Sequence, residues 1–241
     1  MRKELLLLGL CAGLFSVPGL AWHQLRPVAT LSFGADAVNM HLNQNITLTS
    51  PFQNSYDSGG HNIQPVAGFF LGAEGAALRS FLAQLGVSYY LNKAFNISGS
   101  VYQFTDPTMN NLAYHYQLES QRVLVEGKLL ATFRKIFHPF LTLGAGEALN
   151  QAYQYTEVPV ATADIPLSQG FRNRTYHSFT YQVGLGLDTD INKHFRCGLS
   201  YRFVDLGQAG LGSSPLQEGT QTINYNHLRV NEFLVQLSFL G

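Results

Sequence analysis

Three features of the sequence contain residue types that could do chemistry. In "VGLGLD" (183–188), Gly184 and Gly186 have the Gly-x-Gly spacing of phosphate-binding loops. In "YHSF", His177 stands next to Ser178, a combination that could supply a general base and a nucleophile. The eight histidines of the chain could also indicate a metal centre. Each possibility depends on which structural elements hold these residues.

The surrounding pattern favours strands over all three kinds of site. Between 179 and 188 the odd positions are apolar and the even positions are polar or glycine, which is the period of a β-strand. A phosphate-binding loop would open a helix, and no helical pattern follows Gly186. Adjacent strand residues point to opposite faces, so His177 and Ser178 cannot pair through their own strand. No two histidines have the spacing of metal ligands, and we therefore expect no metal and no cofactor.

Composition and the N-terminus indicate an exported, single-domain protein. The 241 residues are 46% hydrophobic and only 12% charged, with zero net charge, so no basic field favours nucleic acid. A basic start, a short apolar run and small residues up to Ala21 predict a cleaved signal peptide over 1–21, followed by one mature domain over 22–241. Cys11 lies in that leader, which leaves Cys197 without an intramolecular disulfide partner.

The same alternation recurs along the mature chain and predicts eight strands. Short connections around 75–77, 134–138 and 189–194 alternate with long polar ones around 38–61, 151–174 and 206–226. This alternation is typical of outer-membrane barrels. The count of eight treats 81–104 as one strand, whose apolar positions continue with one parity from Val87 through Phe95, Ile97 and Val101. Division at 91–96 would give nine strands, whereas bacterial single-chain barrels have even numbers. The predicted fold is all-β, an eight-stranded antiparallel up-and-down transmembrane β-barrel.

The two faces of these strands are predicted to contact lipid and lumen. The lipid-facing set is Leu31, Phe33, Leu85, Val87, Val125, Leu129, Leu143, Val183, Leu185, Leu199, Val235 and Leu237. The lumen set is charged and comprises Asp36, Glu74, Arg122, Glu126, Lys128, Asp188, Arg196, Arg202 and Glu232. An unpaired charge is costly in a narrow lumen, so these groups should pair into a network. Such a network could be a structural plug or a gated conduit.

Several motifs resemble a known family. The segment "GLSYRFVDLG" resembles the penultimate strand of the small eight-stranded outer-membrane β-barrels of the OmpA, OmpW and opacity-protein type. More narrowly, "VEGKLLA", "FTYQVGLGL", "NHLRVNEFLVQLSF" and "FLG" are similar to segments of outer-membrane barrel proteins from intracellular gammaproteobacterial pathogens. The resemblance implies a bacterial outer-membrane location, with membrane lipid, lipopolysaccharide and the barrel assembly machinery as partners. Phe233 and Phe239 would form the C-terminal insertion signal, although Leu240 and Gly241 follow where the family commonly ends on an aromatic residue.

Three hypotheses about function follow from these observations. The first is a non-enzymatic barrel whose long loops serve adhesion or other surface interactions with host or surface ligands, and which supports envelope integrity. The second is a narrow OmpW-like channel for small or hydrophobic solutes. The third is a lipid-modifying barrel enzyme, since some barrels of this kind deacylate lipid A with a histidine, a serine and an acid.

Overall fold

The computed structural model describes residues 25–78, 80–160, 170–215, 217 and 219–241. The predicted signal peptide and Cys11 lie outside these residues. No helix in the described part of the chain is long and apolar enough to cross a membrane. The elements are β1 Arg26–Asn39, β2 Leu42–Thr49, β3 Phe52–Ser58, β4 His61–Leu78, β5 Phe81–Tyr102, a 3-10 turn Gln103–Thr105, β6 Asn110–Ala131, β7 Phe137–Pro159, β8 Arg174–Asp190, β9 Phe195–Asp205, β10 Ala209–Gly210, β11 Asn224–Tyr225 and β12 Arg229–Leu240.

Eight of these strands form a closed antiparallel ring, which confirms the predicted barrel. The order around the ring is β1, β4, β5, β6, β7, β8, β9 and β12. Strand β12 returns to β1 over a ladder that runs from Val28 opposite Leu240 to Val38 opposite Val230. Closure removes every free edge from this part of the sheet, as a lipid environment requires.

The connections differ from the expectation in several places, and residues 151–159 of the predicted long loop 151–174 belong to β7. The predicted turn at 75–77 is strand, because β4 continues to Leu78 before pairing with β5 at Phe81. The predicted long loop 38–61 is the hairpin of β2 and β3, and β3 pairs with the upper end of β5. The segment from Arg26 to Leu78 is therefore one long hairpin that bends at 40–41 and 59–60.

A β-bulge in β5 reverses the side-chain parity of its upper half. Asn92 pairs with Ser120 and Phe95 with Leu118, so three steps along β5 oppose two along β6. The extra residue turns the odd positions from the outside to the inside of the sheet. The sequence pattern predicted that the apolar residues of β5 face outward along the whole strand. This prediction is wrong beyond the bulge, because Phe95, Ile97 and Val101 are buried.

The structure consequently has two interiors. Below the bulge, the barrel is apolar outside and polar inside. Above it, the upper parts of β5, β6 and β7 join the β2–β3 hairpin, Phe171 and residues from 204–211 and 223–230 to enclose an apolar core; we refer to this unit as the cap. Its core includes Ile46, Tyr56, Phe95, Ile97, Leu112, Tyr114, Tyr116, Leu118, Phe171, Leu206, Ile223 and Tyr225.

Candidate functional site

The charged residues predicted for the lumen all point into the barrel. Each of these side chains is buried, with at most 7% of its surface exposed. They occupy even-numbered positions of β1, β4, β6, β8, β9 and β12. In these strands the even positions face inward and the odd positions face outward. Room for them comes partly from glycine: a Cβ at Gly198 would overlap the Asp188 carboxylate, and one at Gly68 would overlap the Tyr90 ring.

Glu126 lies at the centre of the lumen and accepts hydrogen bonds from several strands. Its Oε1 atom is 3.2 Å from Nη2 of Arg202 and 3.1 Å from Oγ1 of Thr142. Its Oε2 atom is 2.8 Å from Nε2 of Gln182 and 3.2 Å from the hydroxyl of Tyr90. A buried carboxylate with this many donors is satisfied as an ion, because each donor replaces part of its lost hydration.

Lys128 forms a second ion pair in the lumen, on the side of the short turns. Its Nζ atom is 2.6 Å from Oδ2 of Asp188 and 3.3 Å from Oε1 of Gln236. The ammonium also stands 3.6 Å from the centroid of the Phe140 ring, at cation–π distance. The lysine is thus bound on several sides.

Arg122 forms the uppermost pair, just beneath the cap. Its Nη2 atom lies 2.6 and 2.7 Å from the two carboxylate oxygens of Glu232, and its Nη1 atom is 3.1 Å from Oδ1 of Asn92. Asn92 in turn donates from Nδ2 to Asp36. Among the ion pairs between described residues, none includes Asp36, so this fifth acid is bound through an amide and not by a cation.

The group of paired charges nearest the short turns has more members than the sequence indicated. Arg196 contacts Glu74 at 2.7 Å and also Asp190 at 2.7 Å, and Asp190 is 3.0 Å from Nε2 of the buried His138. Sequence reasoning missed Asp190 and His138. The position of Asp190, two residues after Asp188 on the same strand face, was the available signal.

These side chains fill the lumen. The space lined by Thr30, Phe70, Gln84, Tyr90, Glu126, Lys128, Arg202 and Gln236 has a volume of ≈ 10 Å³. This is about the space needed to hold one water molecule. Arg122 and Arg202 also stack on Tyr90, with guanidinium carbons 4.4 and 5.0 Å from the ring centroid. Little free space is therefore left between the side chains that line this cavity.

Above the lumen, the cap core is built around a cluster of aromatic rings. Tyr56 packs edge-on against Tyr114 at 5.8 Å and against Phe171 at 5.4 Å between centroids. Tyr155 stacks on Tyr114 at 6.0 Å, brought inward by a second bulge, in β7. Burial raises the pKa of Tyr114, of Tyr116 and of Tyr155 above the ordinary tyrosine value. The cap therefore closes the barrel with an apolar layer.

Comparison with known proteins gives similarity at the level of the fold. No family model and no curated protein matches the sequence. Among solved structures, the outer membrane protein OprG from Pseudomonas aeruginosa is 13% identical with a TM-score of 0.50, and the match covers 89% of this chain and 95% of that one. Neisserial surface protein A is 12% identical with a TM-score of 0.44, covering 90% of this chain and 99% of that one.

The chain has the fold of the small outer-membrane β-barrels. The closed ring of eight strands and the similarity to OprG both support this assignment. It confirms the fold-level part of the family resemblance.

The outer surface of the barrel has an apolar belt, whose members are the outward residues of the ring. Of the predicted lipid-facing set, Leu85 is half-buried and the others are exposed: Leu31, Phe33, Val87, Val125, Leu129, Leu143, Val183, Leu185, Leu199, Val235 and Leu237. Phe233 and Phe239 on β12 also face outward. An apolar exterior around a polar interior is the arrangement of transmembrane barrels.

The histidine and serine considered for nucleophilic chemistry lie on different sides of the wall. Nδ1 of His177 is 2.7 Å from Oε1 of Glu147 on the exposed outer surface. Oγ of Ser178 instead donates to the carbonyl oxygen of Gln208 at 3.1 Å on the inner side. The two side chains form no hydrogen bond with each other, and the described residues contain no cluster of three or more potential metal ligands.

Proposed function

We propose that the chain is a non-enzymatic protein of the bacterial outer membrane whose lumen is closed and whose cap presents a folded surface for interactions outside the cell. The observation that carries this proposal is the filled lumen, in which Arg122, Lys128, Arg196 and Arg202 each pair with a buried carboxylate. A conducting pore would need these groups solvated. A structural plug needs them paired, as they are.

The cap supports the second half of the proposal. Loops that only connect strands need no core of their own, whereas here the long connections fold over β5, β6 and β7 and bury a common set of apolar residues. Such a unit holds its outer surface in a fixed shape, which favours recognition because little conformational entropy is lost on binding.

The outer surface of the barrel supports the surroundings that we propose for it. The apolar belt fits the hydrocarbon of the outer membrane, with lipopolysaccharide around its upper edge. Phe233 and Phe239 on β12 fit the role of the insertion signal for the assembly machinery. The separation of His177 from Ser178 speaks against the lipid-modifying hypothesis, because a serine nucleophile needs its base within hydrogen-bond reach.

Conductance of the refolded protein in planar bilayers tests the proposal. We expect background current from the unmodified protein and a raised current from Arg202→Ala, which removes a buried guanidinium between Glu126 and Tyr90. Arg229→Ala is the matched control, because Arg229 is mostly exposed. A large, steady conductance from the unmodified protein that Arg202→Ala leaves unchanged would show an open lumen and establish the narrow-channel alternative.

A further inference from the structure

A polar pocket opens where the long hairpin bends, at the junction of barrel and cap. It has a volume of ≈ 120 Å³. Its rim is formed by the exposed residues Gly59, Gly60, Asn96 and Ser98, and buried Met40 contributes to the floor together with Ile97. The volume is several times the space needed to hold one water molecule, which is room for a small organic ligand or part of one.

The pocket results from a change of strand partner along β5. Val66 of β4 is paired with Asn92, and the next pairing on that edge joins Ser58 of β3 to Gly99. Between them no described strand pairs with this edge of β5. The side chain of Asn62 reaches into the gap and donates from Nδ2 to the carbonyl oxygen of Asn96 at 2.5 Å. That bridge obstructs an added peptide strand, so the gap favours a compact ligand.

The chemistry of the lining is polar and uncharged. Asn62 and Asn96 supply amides, Ser98 supplies a hydroxyl that is 3.2 Å from Nδ1 of His115, and the two glycines leave backbone exposed. No Asp, Glu, Lys or Arg lines the pocket. Amides and hydroxyls both donate and accept hydrogen bonds, which complements hydroxyl groups, and the Met40 and Ile97 side chains offer an apolar surface to C–H groups.

We propose that this pocket binds a neutral saccharide, by inserting one sugar ring or its hydroxyl-bearing edge. The proposal rests on the proposed surface-interaction function and names its ligand class. The pocket lies just above the apolar belt, near exposed Ile63 and Leu91, so a sugar could reach it from a glycolipid of the same membrane or from a glycan outside the cell. The recognising chemistry is the same for both sources.

Saturation-transfer NMR on the full chain in lipopolysaccharide-free nanodiscs tests the site. We expect transfer to neutral oligosaccharides, and affinity about tenfold weaker in Gly60→Leu, because Gly60 lines the pocket and an added Cβ there meets no atom, so a larger side chain fits without a clash and crowds the rim. Gly127→Leu is the matched control, since Gly127 lies on β6, remote from the pocket, with only one atom near its added Cβ. Asn96→Ala removes an exposed rim amide and should weaken binding about fivefold to tenfold without disturbing the fold.

Addition of lipopolysaccharide to the nanodiscs separates the two sources. Displacement of the free saccharide supports a glycolipid sugar as the occupant, and undiminished binding supports an external glycan. Binding restricted to sulfated or sialylated sugars, competition by extended peptides, absence of transfer to every neutral saccharide, or full affinity in correctly folded Gly60→Leu would each overturn the proposal. An open lumen in bilayer recordings would refute the proposed closed barrel while leaving this binding measurement intact.

Discussion

Arg122 and Glu232 join opposite walls of the barrel. Arg122 lies on β6 and Glu232 on β12, four strands apart in a ring of eight, and the guanidinium meets both carboxylate oxygens at 2.6 and 2.7 Å. Both side chains are fully enclosed. Because Asp36 lies opposite Glu232 in the strand register, this arginine also stands near a second acid.

Removal of that arginine should destabilise the barrel strongly. Arg122→Ala leaves Glu232 buried without a cation, at a cost of about 3–5 kcal/mol. Thermal unfolding in detergent should show a clear fall in Tm. The double variant Arg122→Ala/Glu232→Gln should recover part of it, because the stranded charge is gone. Equal Tm values for Arg122→Ala and the unmodified protein would show that the pair contributes nothing to stability.

The apolar belt should reject charge in its middle. Leu185 is exposed on β8 among other apolar side chains, and Leu185→Arg should impair membrane insertion by about 2–4 kcal/mol if the site lies near the bilayer centre. Folding yield into liposomes measures the effect. Leu185→Ala controls for lost volume, and Asn43→Arg places the same charge on the exposed surface of the cap. Equal yields for the two arginine variants would be incompatible with a lipid-facing belt.

The bulge in β5 should be essential for the cap and dispensable for the barrel. Deletion of Ala94 makes two steps of β5 oppose two of β6, which restores the parity of the lower strand and turns Phe95 and Ile97 outward. We expect the variant to insert into membranes but to lose protease resistance in the cap. Ala94→Gly keeps the residue count and should retain a resistant cap. A protease-resistant cap in the deletion variant would mean that the core tolerates the shift.

Sequence alone predicted the ring because lipid outside and charge inside impose a clear period of two. It also located the inward charges, whose strand positions follow from parity. It could not predict the cap, because a strand with an apolar inner face and a polar outer face has the same period of two. In β5 the apolar face changes from the outside to the inside of the sheet within the single bulge between Asn92 and Phe95. The sequence also could not show which charged residues pair with each other. Arg202 lies beside Glu232 in the strand register, yet its ion pair is with Glu126 on a strand that is not its neighbour.

The cap should lose stability at alkaline pH. Burial raises the pKa of Tyr114 and of Tyr116 above the unfolded value of about 10. Their neutral forms therefore stabilise the folded cap fully below about pH 10, and this contribution is lost as the pH rises toward the folded-state pKa. Tyrosinate absorbance and proteolysis, followed together against pH, should change in one step. Tyr114→Phe should reduce the alkaline loss. Ordinary titration of these tyrosines in a cap that stays protease-resistant would contradict the prediction.

The continuity of β5 and β6 has a mechanical consequence. Each of the two strands is one continuous segment of chain, and their ladder extends from Phe81 opposite Ala131 at the base to Tyr102 opposite Asn110 at the far end. A pulling force applied at the connecting turn passes down both covalent backbones into the wall of the ring, in the same direction on each. No hydrogen bond between the two strands has to break for that load to be carried, so tension applied at the tip reaches the ring without separating β5 from β6.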